Sequence, residues 1–122
     1  MTPQEKAVEA FRSFAQEITG ERVTVGLLPT EGGIAVQVVT GTREFTSLDL
    51  KNRRAVLSLD ILSKMTRQEQ AYGCLCAIAN ACDTAVLAAP VVNASARSEP
   101  SFVGKDGGGW IYSLSVGLRI MI

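Results

Sequence analysis

Apolar residues recur near the N-terminus at Ala7, Phe11, Phe14, Ala15 and Ile18, a spacing that gathers them on one side of a helix. The flanks agree with that reading. Thr2 can cap the helix, Pro3 suits its first position, Glu5 closes a capping box and Gly20 can end it in a left-handed conformation. From Arg22 the period falls to two: Val23, Val25 and Leu27 alternate, Pro29 with Glu31-Gly32-Gly33 supplies a turn, and Ile34 to Val39 reads as a second strand. Ala55 to Leu62 reads as another, with Leu57, Leu59 and Ile61 on one face and Ser58 and Asp60 on the other. The stretch between, Gly41 to Arg54, fits either a strand continued through Phe45, Leu48 and Leu50 or a long hairpin arm.

The period then returns to that of a helix. Thr66-x-x-Glu69 repeats the capping-box signal, and Ala71, Cys74, Leu75, Ile78, Ala79, Cys82, Ala85 and Val86 form a stripe until Ala89-Pro90 stops it. Small side chains in that stripe let the helix lie close to a sheet. Val91 to Arg97 alternates again, and Pro100 with the glycines from Gly104 to Gly109 interrupts. The last strand, Trp110 to Ile122, puts Trp110, Tyr112, Leu114, Val116, Leu118, Ile120 and Ile122 on one face. Extended, it would reach ~40 Å, comparable with the full width of a domain whose radius of gyration is ~14 Å. Such a strand is expected to offer an edge or an end to a neighbouring subunit, with Leu118, Ile120 and Ile122 as contacts. The elements predict a single α+β domain over residues 1–122: a mostly antiparallel sheet of about five strands with two helices packed on it, in the order α-β-β-β-α-β-β.

Composition narrows the function classes. Twelve basic and twelve acidic residues cancel, so no global field draws the chain to nucleic acid or an anionic membrane. No charged-then-apolar leader opens it and no run approaches the ~18 apolar residues of a membrane span, which predicts a soluble, intracellular protein at synthesis. The absence of histidine removes the commonest general base and metal ligand. Cys74, Cys76 and Cys82 are an odd count in one segment, which suits reduced thiols. On a helix Cys74 and Cys76 lie ~200° apart, and Cys74 and Cys82 stand ~12 Å apart along the axis, so no pair clasps one ion and packing is expected of all three.

The remaining candidates also read as structural. Gly104-Lys105-Asp106-Gly107-Gly108-Gly109 lacks the spacing and the following helix of a phosphate loop, and is expected to be a hairpin turn. Asp49 and Asp60 have no second carboxylate placed beside them by sequence. No catalytic residue, cofactor or metal is therefore expected. Arg43, Lys51, Arg53 and Arg54 crowd one segment with only Glu44 and Asp49 to offset them; this is either a solvated hairpin tip or a contact surface for an acidic partner.

The order of elements, with the local wording of two segments, resembles the tail terminator proteins of long-tailed bacteriophages, also known as minor capsid proteins. The first segment is a strand ending in a Leu-Pro turn, Val25 to Gly33 (VGLLPTEGG). The second is Pro-Ser-Phe-Val-Gly-x-Asp at Pro100 to Asp106, followed by an aromatic-rich final strand. The resemblance spans nearly the whole chain. It implies a non-enzymatic virion part that forms a ring, commonly a hexamer, on the head-proximal end of the tail tube, with the tube protein and the head–tail connector as partners. It matches no residue of the Arg43 to Arg54 arm, whose assignment to ring or tube contacts rests on composition alone.

Overall fold

A computed structural model of the chain describes residues 1–45 and 53–122. Helix α1, Pro3–Thr19, starts as its sequence directs: the Thr2 hydroxyl accepts from the Glu5 amide at 3.1 Å, the Glu5 carboxylate accepts in return from Thr2, and Gly20 closes the helix at φ 70°. It buries Ala7, Val8, Phe11 and Ala15. Strands β1 (Val23–Val25), β2 (Gly33–Phe45) and β3 (Arg53–Met65) follow, then α2 (Gln68–Cys82), β4 (Val91–Ala96), β5 (Ser101–Asp106) and β6 (Gly109–Met121). All six strands share one sheet, in the order β1-β2-β3-β6-β4, with β5 also on β6.

The α+β class and the two helices are as the periodicity predicts, and so is the continuation of a strand to Phe45. Within segment 41–54, β2 runs on to Phe45 and pairs antiparallel with β3 from Gly33↔Lys64 to Phe45↔Arg53, while residues 46–52 lie outside the described ones; three differences remain. A sixth strand, β5, lies within the stretch read as an interruption. Its pairing with β6 is closed by Gly107 and Gly108 at φ 57° and 82°, the double positive φ of a tight hairpin turn. Second, β1 runs parallel to β2. Parallel neighbours ordinarily need a long crossover, but β1 is only three residues long, so segment 26–32 has merely to return the chain by ~10 Å. Gly26, Gly32 and Gly33 take the positive φ values this tight return requires.

The third difference concerns α2. Its N-cap is Arg67, which makes no side-chain cap bond, so the Thr66 capping box does not form. The helix ends at Cys82, and Asp83 to Pro90 is not helical.

Both helices lie on one face of the sheet. Under them are Ala55, Leu57, Leu59 and Ile61 of β3 and Tyr112, Leu114, Val116, Leu118 and Ile120 of β6, all buried. A fully buried side chain of this kind stabilises by ~1.5–3 kcal/mol, so β6 is a main source of the fold's stability. Ser63 is also buried on that face, and its hydroxyl donates to the Ala71 carbonyl of α2 at 2.8 Å. The opposite face carries Ser58, Asp60, Ser113, Ser115 and Arg119, none fully buried.

Candidate assembly surface

The terminal strand lies inside the sheet, not at its edge. One side of β6 pairs with β3 from Met65↔Trp110 to Arg54↔Met121, and the other is covered first by β5 and then by β4. The expectation that this long strand presents an edge is therefore corrected: its own chain uses its whole length. Leu118 and Ile120 are 0% exposed beneath the helices and contact no outside surface. Ile122 is half-buried against the same core, and its amide donates to the Arg53 carbonyl at 3.0 Å.

The predicted basic contacts fall at the same end of the sheet. Register sets Arg43, Ala55, Ile120 and Val91 in one row across four strands, and Arg54 in the next row beside Met121. Arg43 and Arg53 are exposed and Arg54 is half-buried. Lys51 lies outside the described residues.

Two other edges are open. Strand β1 covers β2 only from Ile34 to Val36; past that point, among the described residues, no strand lies on the outer side of β2. On the far side of the sheet β4 and β5 pair inward with β6 and, among the described residues, with nothing beyond. An uncovered strand edge presents a row of backbone donors and acceptors that another strand can satisfy. Exposed apolar side chains accompany both: Val38 and Val39 on β2, Val92 on β4, Phe102 and Val103 on β5.

A groove of about 430 Å³ runs beside the open edge of β2, lined by Met1, Val8, Val25, Val38 and Leu57 with Gln4, Glu5 and Glu9 at its rim. Helix α1 is held at that wall by Arg12, which grips Glu9 at 2.6 Å and reaches the Val23 carbonyl of β1 at 3.4 Å. The Arg12 hydrogen bond lowers the Glu9 carboxyl, and the Thr2 bonds lower that of Glu5. Both rim carboxylates are thus ionised at neutral pH.

At the opposite end the chain builds an aromatic group that its sequence spacing does not disclose. Phe102 lies 5.5 Å from Tyr112 and 5.9 Å from Trp110, and Tyr72 of α2 lies 5.6 Å from Tyr112. Gln68 donates to the Tyr112 hydroxyl at 2.8 Å, and the Lys105 ammonium sits 4.8 Å over Trp110. Lys64 was also missed. The residue is buried, and its ammonium donates to the Thr30 carbonyl at 3.1 Å and meets Asp106 at 3.4 Å, so it ties the β1–β2 connection to the β5–β6 turn. The signal was present: Lys64 extends the alternation of β3 two residues past the predicted end, on the polar face.

The thiols stand where packing puts them. Cys82 is buried and Cys74 and Cys76 half-buried. Burial pushes the Cys82 thiol up to about 11 and raises that of Cys74. Among the described residues no group of three or more Cys, Asp or Glu side chains could hold a metal ion. Nor, among them, is any helix long and apolar enough to cross a membrane.

No protein-family model and no curated protein matches the sequence. Among solved structures the chain is similar to one from the virion of a native gene transfer agent (GTA) particle, at TM-score 0.62 and 14% identity. The alignment covers 99% of this chain and 98% of that one. At such low identity the likeness is one of fold, and it runs from end to end.

Proposed function

We propose that the chain is a structural virion protein of the tail terminator kind: a ring that caps the head-proximal end of a tail tube and offers its other face to the head connector. The observation that carries this reading is the end-to-end fold match with a virion chain. The open edges of β2 and of β4 and β5, with their exposed valines and Phe102, support self-association. The reading is non-enzymatic. A buried Cys82 thiol, protonated far above neutral pH, supports that side of it, since the thiolate is the nucleophile. The partners are further copies of this chain, the tail tube protein and the head–tail connector; the protein acts in the virion and assembles in the host cytoplasm.

Light scattering coupled to size exclusion tests the reading. The expected species is a ring of several 13.0 kDa chains, a hexamer by the family resemblance, visible as an annulus by electron microscopy. Added to polymerising tail tube protein, the ring should stop tube growth. A chain that stays monomeric at every concentration, and leaves tube length unchanged, would overturn the proposal in favour of a head–tail completion protein that acts as a monomer.

A further inference from the structure

Resting on that ring reading, we infer which surfaces meet: the outer edge of β2 past Val36 pairs antiparallel with the outer edge of β4 of the next copy, so that the sheets of all copies join into one closed barrel with the helices outside.

Height and direction both favour this pairing. Val38, Leu59, Val116 and Ala96 share one row across the sheet, and Arg43, Ala55, Ile120 and Val91 another. The open stretch of β2 from Val38 to Arg43 thus stands level with the whole of β4. Going from β2 through β3 and β6 to β4, each neighbour is antiparallel, so β2 and β4 point in opposite senses. A copy rotated about an axis along the strands therefore brings its β4 antiparallel to β2, and it keeps its helices on the same face.

Edge accounting selects the heterologous contact over a twofold one. Pairing β2 with β2 of a second copy would leave β4 uncovered in both, whereas head-to-tail addition that closes leaves neither of these edges open. The bulges point the same way. Register shifts occur at Val38/Thr40 in β2, Val91/Asn93 in β4 and Phe102/Gly104 in β5, and bulges add the bend and twist that closure of a sheet demands. The helices are the thicker layer and need the larger circumference, which leaves the polar face, with Ser58, Ser95, Ser115 and Arg97, to surface the bore.

Two edge-blocked variants of the full chain test the pairing: Val39→Lys/Thr42→Lys on β2 and Val92→Lys/Ser95→Lys on β4. All four positions are exposed, and lysine on an edge strand opposes further pairing. Circular dichroism checks folding, and the single variants Val39→Lys and Val92→Lys serve where a double variant unfolds. Each variant alone should fall to the one-chain mass of 13.0 kDa. An equimolar mixture should give a dimer of twice that mass and nothing larger, because each partner contributes its one intact edge. A β4-blocked variant that still dimerises alone would establish a twofold β2 contact and overturn the inference. Two variants that both keep the wild-type ring would overturn it while leaving the ring reading standing, and a wild-type chain that never self-associates overturns both.

Discussion

Replacing Ile120 separates a core role for the terminal strand from a contact role. Its side chain is 0% exposed, between Ala55 of β3 and Val91 of β4 and under the helical layer. Ile120→Val removes one methylene from that site and should cost ~0.5–1.5 kcal/mol, and Ile120→Ala should cost ~2–5 kcal/mol. For a chain of this size those losses lower the thermal midpoint by a few degrees and by on the order of 10–20 °C. Ile120→Asp forfeits ~1.5–3 kcal/mol of burial and places a carboxylate where no donor awaits it, at several kcal/mol more. Set against a total stability of ~5–15 kcal/mol, that substitution should leave little folded protein. Thermal and urea unfolding followed by circular dichroism give the ranking, with light scattering on the same samples. Self-association should follow the folded fraction, so Ile120→Val keeps the wild-type mass. An Ile120→Asp protein with a wild-type midpoint would refute the burial argument whatever its oligomeric mass, and a folded but monomeric one would return Ile120 to the contact surface.

Three further outcomes are expected. Because burial raises the Cys82 thiol from 9.0 to about 11, the stability it confers is complete below the unfolded value and is lost as pH rises from 9.0 to about 11; Cys82→Ala should flatten the fall in thermal midpoint across that window, and an unchanged slope would count against it. Native protein treated with a thiol reagent at pH 8 should keep Cys82 unmodified until urea exposes it. Gly32 has φ 106°, and a Cβ there would stand 2.9 Å from the Lys64 carbonyl oxygen, so Gly32→Ala should cost more than ~1 kcal/mol. Gly104→Ala, with open space and no positive φ, should cost less, and equal midpoints for the two would show the β1–β2 return to be unstrained.

What the sequence determined by itself is what one segment can express alone. The Thr2–Glu5 box and Gly20 bound α1 because their bonds close within a few residues, and the alternation of β6 shows because one of its faces is buried along its whole length. The same logic reads β3 and the Gly107-Gly108 turn, and from them the α+β class. Strand β5 was illegible because both of its faces are largely exposed and it is broken by a bulge, so burial imposes no period on it.

Partnership is another matter. Nothing local in Trp110 to Ile122 says that β3 lies on one side and β4 with β5 on the other. That order follows from where distant strands find apolar partners, and it turned a presumed edge into an interior strand of the sheet. The same rearrangement moved the open edges to β2 and β4, placed Lys64 between two loops far apart in sequence and gathered four aromatic rings from two elements and a turn-linked strand. Periodicity records which face of a strand is buried, because burial acts on alternate side chains; which strand lies beside it is decided by backbone hydrogen bonds, which every residue but proline can make alike, and so only the tertiary fold could decide it.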